Sequence, residues 1–232
     1  MDATPTISAI DPLPQDPNSR RIKVGRRTVG VLSGAQVELL RLRVGQNWSE
    51  RLATRVEHAL AVEAARRDAL RMLGRTAVAS ATLRERLLRK EHPEKAVDAT
   101  VAALLDDGWL DDRAFAVAVA EAALRRGPLG VDALAARLTR RGVDPAVARE
   151  VAAQLATRLA TGFPAADGRG TPMAAVEQAL RWAEASLKRA GRLSRQRAAR
   201  RVAAGLARRD VDADTIGQVL QRLGLPIDDD AA

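Results

Sequence analysis

One block of sequence occurs three times, and that repetition limits the architecture more than any other feature of the chain. LRERLLRKEHPEKAVDATVAALL, from Leu83, aligns with LAARLTRRGVDPAVAREVAAQL, from Leu134. Leu83, Leu87 and Leu104 meet Leu134, Leu138 and Leu155, each 51 residues later. A third copy, VAAGLARRDVDADTIGQVLQRL, starts at Val202, and its Leu206 and Leu223 keep the same 17-residue spacing. Apolar residues three and four apart within each copy predict helices. A repeat of this length is one supersecondary unit that buries its apolar face against its neighbours.

Each copy carries a basic pair two residues after its central leucine: Arg89-Lys90, Arg140-Arg141 and Arg208-Arg209. A turn follows each pair. In copy two Gly142 can close one helix in a left-handed conformation, Asp144 can cap the next, and Pro145 suits its first position. In copy three Asp212 or Asp214 can cap. A further helix precedes each pair, at roughly 50–74 (capped by Ser49), 112–126 and 173–190. The expectation is an all-α fold of tandem three-helix units stacked in an elongated, curved array, with a compact bundle as the less favoured arrangement. The units fall at 49–110, 111–158 and 173–225, with a Gly/Pro linker at 159–172 and an acidic tail at 226–232.

The N-terminal region departs from this pattern. Residues 1–19 contain four prolines and little periodicity, which predicts a flexible leader. In RRIKVGRRTVGVLS, residues 20–33, Ile22 and Val24, then Val29 and Val31, alternate around Gly25-Arg26-Arg27. This predicts a short β-hairpin, followed by a short helix within 34–48.

Composition supports the helical reading and limits the chemistry. Aromatics make up 2% of the 232 residues, Tyr is absent, and Ala and Leu fill the core positions, as in closely packed helices. Without Cys there are no disulfides, thiolate nucleophiles or thiolate zinc sites, which fits a cytoplasmic location. No apolar run approaches the roughly 18–20 residues that cross a bilayer, and MDATPTISAIDPLPQ lacks a signal peptide's basic start and apolar stretch. A net charge of +9 and a pI near 11.2 favour polyanionic partners such as nucleic acid, nucleoprotein or an acidic protein surface.

Against that charge, Asp106, Asp107, Asp111 and Asp112 stand in seven residues around GWLDDRAFA, residues 108–116. Helix grammar accounts for part of this. Gly108 closes one helix, Asp111 caps the next, and Asp112 lies at its first position near the positive end of the helix dipole. Leu110 and Phe115 have the spacing of a hydrophobic staple, and Trp109 can fill the gap between the helices. Asp106 and Asp107 oppose the dipole of the helix they end, and can pair with arginines of a neighbouring helix or of a partner. No counterpart for a two-carboxylate catalytic site exists elsewhere, and the calcium-loop pattern is absent.

The basic candidates divide into three sets. SLKRAGRLSRQRAARRVAAGLARR, residues 186–209, holds nine basic residues and no acid. Within it Arg197, Arg200, Arg201 and Arg208 can share a helix face that contacts phosphate or acidic protein; the alternative is a solvated, arginine-biased helix. The turn residues Arg89, Lys90, Arg140, Arg141 and Arg209 are partner candidates that also offset helix dipoles. Arg125 and Arg126, before GPLG, form the third set. Trp48, Trp109, Trp182, Phe115 and Phe163 are expected in the core rather than stacked on bases. His58 and His92 are isolated, so metal ligation is not expected. No P-loop, dinucleotide fingerprint or nucleophile constellation is present, and no cofactor is expected.

GWLDDRAFA resembles the G-[YF]-[LI]-[DN]-D-x-x-[FY]-A core of the RecX family of bacterial regulators. ARRDALRMLGRTAVASATLRERLLRK, residues 65–90, and RRGPLGVDALAARLTRRGVD, residues 125–144, are similar to two further family segments. The resemblance extends from about 65 to 160, with a weaker part from 20 to 60. It implies a helical tandem-repeat fold and no enzymatic activity. It also implies binding to the RecA recombinase, free or filamentous on single-stranded DNA, with inhibition of strand exchange, ATP hydrolysis and coprotease function; the chain itself is expected to be a monomer. The alternative from charge alone is a basic helical protein that contacts DNA without RecA.

Overall fold

A computed structural model of the chain describes residues 5–161 and 175–227, with the side chains of 159–161 excepted. The chain divides into two compact units, Met1–Leu110 and Asp111–Ala232.

The first unit opens with three strands, β1 (Ile7–Leu13), β2 (Asp16–Val24) and β3 (Arg27–Ser33), paired antiparallel in the order β1-β2-β3. The expected hairpin is therefore the second half of a three-stranded sheet. The expected flexible leader supplies β1 and the start of β2. Two irregularities hid it. Register shifts at Ile7/Ala9 and Pro12/Leu13 break the two-residue alternation, and prolines read as breakers fall where a sheet accepts them. Pro12 lies in the edge strand, where a missing N–H breaks no ladder bond, and Pro14 lies in the turn. The outer edge of β1 is partly covered: the Ile7 N–H donates to the Gln46 carbonyl (2.9 Å) and the Gly45 N–H to that of Ile7 (2.8 Å).

A short helix α1 (Gly34–Leu39) leads to α2 (Glu50–Leu73), α3 (Ser80–Leu88) and α4 (Glu94–Asp106). Helix α2 serves two cores. Its first half puts Leu52, Val56 and Ala59 against Ile7, Ile22 and Leu32 of the sheet. Its second half puts Ala69 against Leu83, Leu87, Val97 and Leu104 of α3 and α4. At about 100° per residue, the buried stripe turns by roughly 140° between Val56 and Ala69.

The second unit contains α5 (Asp112–Leu124), α6 (Val131–Thr139), α7 (Pro145–Thr161), α8 (Ala175–Ala190), α9 (Arg195–Ala207) and α10 (Ala213–Arg222). Helix α7 runs into the expected linker, whose remaining residues, with Phe163, lie outside the described residues. So do Asp228–Asp230 of the expected tail.

The three copies pack alike. In each, the first helix contacts the third, the second contacts the third, and the first contacts the second: α2, α3, α4; α5, α6, α7; α8, α9, α10. Leu83, Leu87, Leu104, Leu134, Leu138, Leu155, Val202 and Leu206 are all fully or almost fully buried. The turn after each basic pair is also shared. Glu91, Gly142 and Asp210 all adopt left-handed backbone, with φ of 64°, 86° and 60°. The next residue donates its N–H back five positions, from His92 to Leu87, Val143 to Leu138 and Val211 to Leu206. This closes the preceding helix by satisfying carbonyls that its end leaves open.

Copies two and three are joined closely within the second unit. The Gly130 N–H donates to the Arg209 carbonyl (2.8 Å), and the Asp210 carboxylate accepts from the Asp132 and Ala133 N–H groups (2.9 and 3.3 Å). A residue of copy three thus caps α6 of copy two. The Gln178 side chain donates to the Leu124 carbonyl at the end of α5. Trp182 packs beside Gly127 and Gly205, and Arg209 lies over its ring, 4.8 Å from the centroid.

Candidate partner-binding surface

Two residues of the acidic stretch, Asp111 and Asp107, take structural roles. Asp111 caps α5, accepting from the Ala114 N–H at 2.8 Å. Asp107 pairs with Arg66 of α2 at 3.0 Å, which offsets its unfavourable place at the end of α4. Gly108 is left-handed, with φ of 73°. Arg113 of α5 forks onto Glu150 of α7 (3.0 and 3.1 Å), and this pairing holds the Glu150 carboxyl below its usual range. Trp109 corrects the expectation: it is 60% exposed, while Leu110 fills the gap between the helices instead. The Leu110 N–H returns to the Leu104 carbonyl (3.0 Å), which turns Leu110 inward and Trp109 outward. Trp48, Phe115 and Trp182 are partly buried.

Among the described residues, no group of three His, Asp or Glu side chains could hold a metal ion. No helix there is long and apolar enough to cross a membrane.

Several basic candidates are engaged within the chain. Arg89 pairs with Glu85 (2.9 Å), one helical turn away. Lys90 pairs with Asp68 of α2 (2.9 Å), a carboxylate largely covered by its neighbours and also met by His92 (3.2 Å) and Arg71 (2.7 Å). The hydrogen bonds from Lys90 and His92 hold the Asp68 carboxyl below its ordinary value. Arg209 is committed to Trp182. These three side chains work first as fasteners of the turns.

Arg125, Arg126, Arg140, Arg141, Arg197, Arg200, Arg201 and Arg208 are exposed, Arg141 and Arg200 while also making contacts of their own. On α9 and its C-cap residue, Arg197, Arg200, Arg201 and Arg208 fall within an arc of about 100°. That arc lies opposite the buried Ala198, Ala199, Val202, Gly205 and Leu206. The four share a face, as their spacing predicted. Arg125 and Arg126, at the end of α5, lead directly into Gly127, which sits against Trp182 and Arg209. The joint between copies two and three therefore gathers the pairs 125–126 and 208–209, from segments 82 residues apart in the sequence. Spacing within one copy gives no sign of this pairing, because it depends on contacts between copies. Arg140 and Arg141 lie at the α6–α7 turn.

Three copies of a three-helix unit, preceded by a three-stranded sheet, define a helical-repeat protein whose prominent surface feature is arginine. No protein-family model matches the chain, and no curated protein sequence matches it significantly. Among solved structures the same fold occurs in RecX. A crystal structure of regulatory protein RecX superposes with a TM-score of 0.73 at 16% identity, covering 94% of this chain and 99% of that one. RecX from Lactobacillus salivarius superposes with a TM-score of 0.57, also at 16% identity, covering 71% and 97%. The resemblance read from GWLDDRAFA and its neighbouring segments thus holds at the level of the fold.

Proposed function

We propose that this protein is a RecX-type regulator, which binds RecA, free or filamentous on single-stranded DNA, and restrains its recombinase, ATPase and coprotease activities. The observation that carries the reading is the RecX fold, shared over nearly the full length of both chains. The exposed arginine face of α9 and the cluster at the joint between copies two and three suit it. A nucleoprotein filament presents phosphate and acidic protein surface together, and a repeated scaffold can touch successive subunits and gain avidity. The capping and ion-pairing roles of Asp111 and Asp107 support a binding role over a catalytic one.

The test is RecA ATPase on saturating single-stranded DNA, with this protein titrated below one per RecA. Inhibition at low ratio is expected. A second reading, a DNA-binding protein acting without RecA, draws on the nine basic residues in 186–209 that no acid balances. It predicts inhibition only when DNA is limiting, and that outcome would replace the first reading.

A further inference from the structure

Trp109 is out of place by the chain's own habits. The other described aromatic residues are at least partly buried, yet Trp109 is 60% exposed, and Leu105, one turn earlier, is 41% exposed. The backbone fixes both outward. The Gly108 N–H donates to the Leu105 carbonyl (3.1 Å) and the Leu110 N–H to the Leu104 carbonyl (3.0 Å), so Leu104 and Leu110 take the buried positions. A tryptophan held in water by a closed turn forgoes a large burial gain, and exposed tryptophan with adjoining aliphatic surface is characteristic of protein contact sites.

The surrounding charge says what kind of contact. Asp106 is exposed and makes no ion pair or hydrogen bond with its side chain among the described residues. Asp107 beside it is already held by Arg66. An indole face next to an uncommitted carboxylate attracts a cation and repels phosphate. In a chain of net charge +9, this is a local reversal of sign.

We infer that Trp109, Leu105 and Asp106 form a docking knob for a protein partner, seating an arginine or lysine side chain over the indole with its charge met by Asp106. This rests on the proposed function, under which the partner is the recombinase filament, and it separates two kinds of contact on one molecule. The knob touches protein, while the arginine surfaces of the second unit face the polyanion.

The test measures binding of the full chain to RecA assembled on single-stranded DNA, and separately to the naked DNA. Trp109→Ala and Asp106→Lys are each expected to weaken filament binding about tenfold or more. Binding to naked DNA should hold for Trp109→Ala, and Asp106→Lys should not weaken it. Circular dichroism should report an unchanged fold, since both side chains are exposed. Should Trp109→Ala fail to fold, Asp106→Lys carries the test. Filament binding equal to wild type in both variants overturns the inference and leaves the proposed function standing. An equal loss on naked DNA in Trp109→Ala also overturns it, since the indole would then be stacking on bases. A wild-type chain that binds no filament ends the proposed function and this inference together.

Discussion

At Gly130 the backbone of copy three leaves no room for a side chain, because a Cβ there would overlap the Asp210 carbonyl. Asp210 in turn holds a left-handed backbone and supplies the carboxylate that caps α6. Gly130→Ala is expected to cost about 2 kcal/mol through overpacking. Asp210→Ala should cost about 1 kcal/mol or more by losing the cap and straining the turn, whereas Asp210→Asn, which tolerates left-handed backbone and still accepts a hydrogen bond, should lose less. Chemical denaturation orders the three, and an Asn variant as unstable as the Ala variant would remove the capping argument. Asp68 offers a second test. Its carboxyl is held below its ordinary value by Lys90 and His92, with Arg71 also facing it. A depressed folded value means that the ionised form favours folding above an unfolded value near 4, and that this benefit fades as pH falls through the lower folded value. Asp68→Asn should therefore lower Tm at pH 7 by an amount that shrinks as the pH falls below about 4. A gap unchanged at pH 2.5 would show that packing, not charge, is at stake.

Among the elements, the helices were legible wherever one side of a helix met one core. The 51-residue offset located Leu87 and Leu138, and the turn chemistry located Gly142, Asp144 and Pro145, because each of those residues answers to its own helix end. The four-arginine face of α9 was legible for the same reason. Strand β1 was not, since two register shifts destroy its alternation and its one proline, Pro12, sits where an edge strand accepts it. Helix α2 was legible in extent, although its buried stripe changes face midway, a consequence of packing first on the sheet and then on α3 and α4. Trp109 illustrates a different limit. Its apolar character suggested a core place, but the turn around Gly108 had already assigned that place to Leu110. The commitment of Arg89, Lys90 and Arg209 to intramolecular partners likewise depends on Glu85, Asp68 and Trp182, two of them distant in sequence.

For the molecule as a whole, the join between copies two and three is made by side chains and backbone rather than by the peptide between α7 and α8. Asp210 on α6, Gln178 on the end of α5, and Arg209 with Trp182 against Gly127 all cross it. Its strength is therefore expected to survive a break in the chain between α7 and α8. Residues 1–161 and 175–232, co-expressed as two separate polypeptides, are expected to copurify as a one-to-one pair, and Asp210→Ala together with Trp182→Ala should release the smaller one. Independent elution of the wild-type fragments would refute this. Insertions or tags placed in that stretch should accordingly leave the paired halves in register, so evolution could lengthen or shorten the sequence between α7 and α8 freely while the clasp between the two copies stays fixed.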